Sequence, residues 1–293
     1  MAYEKTVWQS GVTPCSSSNF NKMEEGIYKN SVFLEQLCNP NVLHNADFRN
    51  PVNQRNSPAY NGSSSKYVFT LDRWFLSKTS VNYLGTGDGC CTVMLASGGF
   101  FAQGIEDVNM LSDEMTVSVK LLDVENVYVL TKQNGDNFGT ITKNGKSVDV
   151  VLDGNFFKLV NNSSSSVTFN IEYIKLENGN KSTAFMPRPF ASELQICKRY
   201  YESNEVVFFP VSGTTPSSYY VVVNGVNFEV EKYREPDMTF GTLVSNTNAT
   251  VSATITSKFV SKKYLRNIGL SENQSYWYIR TTYTADAEIY PYT

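Results

Sequence analysis

The chain has 293 residues and a formal net charge of −3, enough length for one or two buried cores and no basic excess to draw nucleic acid or an anionic membrane surface. Charged residues are 18% and aromatics 13%; charge is below the roughly 25% usual in soluble domains, and the Asn, Ser and Thr that replace it suit twisted sheets with short polar turns. No stretch approaches the ~18 apolar residues that span a membrane, and Met1-Ala2-Tyr3-Glu4-Lys5 leads into no signal-peptide core.

The cysteines are Cys15, Cys38, Cys90, Cys91 and Cys197. They are odd in number, and the adjacent pair cannot bridge to each other in ordinary geometry. With His44 the sole histidine, no zinc spacing exists. Free thiols, kept reduced in a cytosol, are the expectation.

Residues 1–18 are polar and irregular. Beyond them Phe20, Met23, Ile27, Asn30, Leu34 and Leu37 fall at alternating steps of three and four, the seam of a short coiled coil. Asn19 or Asn21 can cap that helix, and Asn39-Pro40 stops it. Asn30 is a polar residue in the seam, of the kind that sets register or strand number. A helix of this length is marginal alone in water, so it needs either further copies of itself or the sheet of its own chain. Residues 1–41 are thus read as a polar N-terminal segment and a coiled-coil neck.

Residues 42–188 carry the period of an antiparallel β-sandwich. Met115, Val117, Val119 and Leu121 alternate with Thr116, Ser118 and Lys120, one face apolar and one wet. Val167, Phe169, Ile171 and Tyr173 do the same against Thr168, Asn170 and Glu172. Pairs such as Asp153-Gly154 tolerate the positive φ of tight hairpins. Trp74 is assigned to the core.

Residues 189–203 form a linker helix. Pro187 and Pro189 hold an extended approach, after which Phe190, Leu194, Cys197 and Tyr201 step by four, three and four onto one face. Leu194 and Cys197 are expected at the junction of two β blocks. The second block, 204–293, is small and β-rich. Tyr219–Val223 and Val226–Val230 around Asn224-Gly225 predict a hairpin, Val251–Ile255 alternates, and Tyr276–Arg280 predicts a strand. No repeat of fixed period is present, which excludes a β-helix or propeller.

Three stretches up to Glu202, and a fourth at the end of the chain, resemble motifs of bacteriophage tail-fibre and receptor-binding proteins. Pro187-Arg188-Pro189-Phe190-Ala191, Glu193-Leu194, Cys197 and Arg199-Tyr200-Tyr201-Glu202 resemble the signature that follows a carbohydrate-binding jelly roll in that family. Trp8–Pro14 with Asn19–Ile27 is similar to the attachment segment. Asn50–Arg55 with Asp72-Arg73-Trp74 is similar to the jelly roll's opening, and Ala285-Asp286-Ala287-Glu288 resembles the family's ending. The resemblance implies a jelly roll, a homotrimer, docking on other virion or tail proteins through the N-terminal segment, and a host cell-surface polysaccharide or protein as receptor. It also implies a virion location after synthesis in the host bacterial cytoplasm.

The chemistry points to binding and not to catalysis. One histidine allows no His-pair metal site, and a Ser-His triad has only His44 to use. Asp47 stands where a jelly-roll calcium ligand can lie, but one carboxylate is not a site, so no cofactor or metal is assigned. Sugar binding needs an aromatic plate for the C–H side of a pyranose and amide, hydroxyl and charged groups for its hydroxyls. The C-terminal block supplies Tyr219, Tyr220, Tyr276 and Tyr278 with Asn273 and Arg280; strand alternation allows either Tyr276 and Tyr278 or Trp277 to face outward, and Trp277 is assigned inward. Two functions follow: a non-catalytic receptor-binding fibre, and a structural fibre or spacer without receptor binding.

Overall fold

A computed structural model of the chain describes residues 16–36, 39–62, 67–83, 91–122, 124–132, 137–143, 145–212, 220–222, 226–245, 247, 249–251, 255–270 and 278–290. Helix α1 (Ser17–Gln36) opens on a serine: the Asn19 N–H donates to the Ser16 hydroxyl at 3.2 Å, satisfying one orphan donor of the first turn. The expected caps, Asn19 and Asn21, therefore lie inside the helix. Of the seam, Phe20, Ile27 and Asn30 are exposed and Met23 is half-buried. Leu34 is in the helix, and Leu37 lies outside the described residues.

Ten strands follow: β1 (Ala59–Asn61), β2 (Val68–Phe69), β3 (Trp74–Tyr83), β4 (Cys91–Gly104), β5 (Met115–Leu121), β6 (Tyr128–Thr131), β7 (Asn137–Lys143), β8 (Lys146–Asp153), β9 (Phe156–Val160) and β10 (Val167–Asn178). They make one antiparallel sheet ordered β6-β5-β10-β4-β9-β8-β7, with β3 on β4, and β1 and β2 on β3. The sheet turns over itself because β4 changes partner half-way. Cys91–Leu95 pairs with β10, whereas Phe100–Gly104 pairs with β9. The corner falls at Gly98-Gly99, where a Cβ on Gly99 would stand 2.5 Å from the Lys78 carbonyl oxygen. Only glycine lets β3 and β4 approach so closely there. Between β8 and β9, Gly154 takes the φ of 59° that the predicted Asp153-Gly154 turn requires.

The inward residues of this sheet bury Trp74 completely. Trp74 stacks on Phe101 with centroids 4.6 Å apart, Phe48 tilts against it at 5.2 Å, and its indole N–H donates to the Asn45 carbonyl at 2.8 Å. Strand β5 departs from the expected wet face, since Thr116 and Ser118 are as buried as Val117 and Val119. The arm leaving β10 covers them: Thr116 donates to the Gly179 carbonyl at 2.7 Å, and Ser118 lies 3.1 Å from the Ser182 hydroxyl. Lys175 and Glu177 pass under the same arm as a buried pair at 3.0 Å.

Helix α2 (Phe190–Lys198) forms the expected face only in part. Cys197 is buried, Leu194 is half-buried, Phe190 is exposed, and Tyr201 opens strand β11 (Tyr201–Phe208). The helix closes tightly, with Arg199 N–H donating to the Ile196 carbonyl at 3.2 Å and Tyr200 N–H to the Cys197 carbonyl at 2.9 Å. Such i→i+3 bonds take the next residues off the 3.6 period. The core takes Ile196 and Tyr200 in place of Phe190, and Tyr201 is buried from the strand instead of from the helix.

The C-terminal block adds β12 (Pro210–Ser212), β13 (Tyr220–Val222), β14 (Val226–Asn227), β15 (Asp237–Phe240), β16 (Val244–Ser245), β17 (Ile255–Val260), β18 (Tyr264–Leu270) and β19 (Ile279–Asp286). One antiparallel sheet runs β11-β19-β15 with β16 also on β19; the other runs β12-β13-β18-β14 with β17 also on β18. Phe208, Leu265, Ile279, Tyr283 and Ala285 form their shared core. The turn of the predicted hairpin, Asn224-Gly225, lies outside the described residues. Both β13 and β14 pair with β18, Val222 opposite Ile268 and Val226 opposite Leu265. Alternation specifies a face but not a partner, and β18 satisfies both segments.

Candidate ligand-binding face and the joint that carries it

Stretches far apart in sequence meet between the sandwich and the C-terminal block. Asp72 and Arg73 make the turn from β2 into β3, Gln54 and Arg55 precede β1, Tyr200 and Tyr201 follow α2, and Glu288 follows β19. Arg73 Nη1 donates to Glu288 Oε2 at 2.7 Å and its backbone N–H to Oε1 at 3.1 Å, while its guanidinium lies 3.5 Å over the Tyr200 ring. Arg55 donates to Asp72 at 3.0 Å and to Glu288 at 3.4 Å, and lies 3.8 Å over the Tyr201 ring. The Gln54 amide links Asp72 Oδ2 to the Tyr201 carbonyl, each at 2.7 Å. Arg73 holds φ at 74°, a conformation that costs an arginine about 1–3 kcal/mol and persists only where its surroundings enforce it.

Asp72, Arg73 and Glu288 are fully buried. Burial pushes the Asp72 carboxyl up to about 7, against the pull of Arg55. Burial also raises Asp286. His44 stands beside this joint, its ring 6.1 Å from Tyr200 and its Nδ1 without a hydrogen-bond partner. Burial, with Arg73 and Arg188 nearby, holds it down to about 3, so the imidazole is neutral at ordinary pH. On the far side, Glu106 accepts from Arg199 Nε at 3.1 Å and from the Tyr200 hydroxyl; the Arg199 hydrogen bond keeps its carboxyl below the usual range. Lys232 pairs with Glu202, which also accepts from the Tyr283 hydroxyl. These groups fasten elements together, and none combines a nucleophile with a working base. Among the described residues no His, Cys, Asp and Glu cluster can hold a metal, and Asp47 is engaged by Arg49 at 2.7 Å.

Glu202 and Tyr283 face inward, so alternation turns Ser203, Glu205 and Val207 of β11 and Arg280, Thr282 and Thr284 of β19 outward. Register sets Val207 and Val244 on either side of Arg280, and Glu205 opposite Thr282. Continuing that register one residue brings the exposed Phe209 opposite the half-buried Tyr278. An open hollow of about 390 Å³ lies among Glu205, Thr242, Val244, Arg280, Thr281 and Thr282. It offers hydroxyls, one carboxylate and one guanidinium, a set that suits a polyhydroxylated ligand.

Of the sequence-predicted ligand residues, Tyr278 and Arg280 come together on this face. Tyr220 opens β13 in the other sheet, opposite Leu270. Tyr219, Asn273 and Tyr276, with Trp277, lie outside the described residues. Sequence reading missed Glu205, Phe209, Thr242 and Thr282. Thr282 follows from Arg280 by the period of two; Glu205, Phe209 and Thr242 depend on strand register, which no local signal fixes. Cys91 and Cys197 are buried, and among the described residues no helix is long and apolar enough to cross a membrane.

No family model matches the chain, and no curated protein does. Among solved structures, wild-type discoidin II from Dictyostelium discoideum aligns over 68% of this chain and 76% of its own, at 11% identity and a TM-score of 0.26. The native structure of recombinant discoidin II from the same organism aligns over 73% and 82%, at 12% identity and a TM-score of 0.22. Likeness at that level carries no argument about function, and the mainly antiparallel β architecture rests on the chain's own strands.

Proposed function

We propose that the chain is a non-catalytic receptor-binding fibre protein of a phage or phage-tail-like particle, attaching that particle to a cell-surface glycan of its bacterial host. The observation that carries the reading is the joint. The stretches that resemble tail-fibre motifs, Asn50–Arg55, Asp72-Arg73-Trp74, Arg199–Glu202 and Ala285–Glu288, were singled out from sequence separately, and their Gln54, Arg55, Asp72, Arg73, Tyr201 and Glu288 side chains or carbonyls bond to one another. Words that meet in space encode one architecture, which weighs against chance similarity in each.

In this reading the sandwich is a jelly roll of carbohydrate-binding type, and α1 is the neck of a homotrimer whose N-terminal segment docks on other tail proteins. The outward face about Arg280 and Tyr278 meets the glycan. Contacts of this kind are individually weak and gain from repetition over three copies. The test is binding of the labelled full chain to bacterial envelope polysaccharides on an array. Saturable binding competed by the free polysaccharide is the expected result. Incorporation into particles with no binding to any polysaccharide would favour the spacer instead.

A further inference from the structure

A second concave site lies where the chain enters the sandwich. A cavity of about 260 Å³ opens between residues 39–50 and the Phe185–Glu193 stretch that leads into α2. Its apolar wall is Phe185, Met186 and Phe190. Phe185 lies flat on Tyr173, centroids 4.2 Å apart and planes 3° from parallel, so its position is fixed. Met186 and Phe190 remain 66% and 47% exposed, although Pro187 and Pro189 stiffen the backbone between them.

The polar wall is equally fixed. Arg188 donates to the carbonyls of Leu43, at 3.1 Å, and Asn41, and pairs with Glu193 at 3.2 Å. Glu193 in turn accepts from the Asn45 backbone N–H at 2.6 Å. A carboxylate has about four lone-pair directions, so Glu193 keeps acceptor capacity toward the cavity. The Asn50 backbone N–H donates to the Asp47 carbonyl at 3.3 Å, and its exposed side-chain amide makes no hydrogen bond among the described residues.

Charge and size narrow the ligand. The carboxylates in the lining, Asp47 and Glu193, are matched by Lys175 and Arg188, and each of the four is ion-paired. A site with paired charges has no net field to draw an anion or cation. Rigid apolar plates facing amide and carboxylate groups fit a ring with one C–H face and several hydroxyls. The volume is below the ~300–1,000 Å³ of pockets for larger ligands, which suits a single ring.

We propose that this cavity is a second saccharide site, holding one neutral pyranose against Phe190 with its hydroxyls on Asn50 and Glu193. Saturation-transfer difference NMR on the full chain, with the methyl glycosides of glucose, galactose and N-acetylglucosamine, tests it. At least one sugar is expected to show transfer to the protons of one ring face. In an Arg280→Ala background, which removes the outward face's contribution, Phe190→Ala and Asn50→Ala, both exposed and outside the buried networks, are each expected to weaken the remaining transfer about tenfold, the range of one good aromatic contact. Absence of transfer from all three sugars overturns the site, as does transfer that survives both substitutions. Loss on Arg280→Ala alone assigns the sugar to the outward face, which upholds the proposed function and sinks this cavity, so the two readings fail separately.

Discussion

Arg73 and Glu288 are separated by 215 residues, yet their side chains close a fully buried ion pair at 2.7 Å. The pair fastens the chain's C-terminal end to the turn that starts β3. Arg73 also donates to the Gly104 carbonyl, and a Cβ on Gly104 would come within 2.9 Å of Ile289. The tail therefore lies hard against β4. The ion pair and this close contact join the two β blocks.

Removing one partner of such a pair leaves the other charged and desolvated, at a cost of about 3–5 kcal/mol. Glu288→Ala is expected to destabilise the chain by that amount in urea titration, because the buried Arg73 loses its carboxylate partner and Arg55 loses one of its two. A loss under about 1 kcal/mol, the size of an exposed pair, would show that the joint is wet.

Two buried groups beside the joint titrate in opposite senses. Asp72 sits near 7 in the fold and 3.8 outside it, so below neutrality the folded chain holds a proton the unfolded chain has lost. Its contribution is present at low pH and is lost as pH rises toward 7. His44 sits near 3 in the fold and 6.5 outside it, so its contribution is present above 6.5 and is lost as pH falls. Between about 4 and 6.5 the two slopes cancel, each being about 1.4 kcal/mol per pH unit. Asp72→Asn is expected to lose stability relative to wild type as pH falls through that window, and His44→Gln to gain it. Parallel stability curves for all three proteins would mean that neither group is desolvated as described.

Helix α2 offers a contrast between neighbours. Leu194 is half-buried, so Leu194→Ala should cost about 1 kcal/mol, below the ~2–5 of a fully buried leucine. Tyr200 is fully buried, its ring under Arg73 and its hydroxyl on Glu106. Tyr200→Ala should cost about 3–5 kcal/mol, with Tyr200→Phe recovering most of it. Equal losses at the two positions would mean that the helix seats on its predicted face after all.

Helix α1 presents Phe20 and Ile27 to solvent at 49% and 64%, although apolar burial of each in a seam contributes ~1.5–3 kcal/mol. Light scattering at micromolar concentration is expected to give a trimer, and Ile27→Asp to lower the mass toward that of one chain. A monomeric wild type sinks the homotrimer.

What sequence could and could not supply follows from the range of each signal. Period-two patterns gave the apolar face of β5, and that of β10 as far as Ile171, past which a register shift leaves Tyr173 half-buried and turns Ile174 and Leu176 inward. Asp-Gly placed the turn at Gly154, because these signals depend on neighbours along the chain. The wet face assigned to Thr116 and Ser118 failed since its cover, the arm from Gly179 to Ser182, arrives from 60-odd residues away, as the 63- and 64-residue separations of those bonds record. The linker helix was legible, but its buried side was not. A single tight turn at Arg199 moved Tyr201 into a strand, where it is still buried, and brought Tyr200 fully into the core. The joint was visible only as words in separate places, with nothing local to say that Arg73 meets Glu288.

The outward face gives the last expectation. Ile279 and Thr281 are buried, and Arg280 between them shares its side of β19 with Tyr278 and Thr282. Val207 and Val244 flank Arg280 and give its stem an apolar bed, while Glu205 opposite Thr282 supplies an acceptor within the same hollow. None of these side chains takes part in the buried joint, so their truncation costs little stability; surface changes of this kind stay within about 0.5 kcal/mol. The double variant Tyr278→Ala with Arg280→Ala is expected to abolish adsorption of the full chain to host cells while its melting temperature stays within a few degrees of wild type. Tyrosine and arginine are the residues whose loss most often removes binding from an interface, which is why the pair is chosen over the threonines. If adsorption survives the double variant and falls with substitutions on the sandwich, the receptor site is on the other β block.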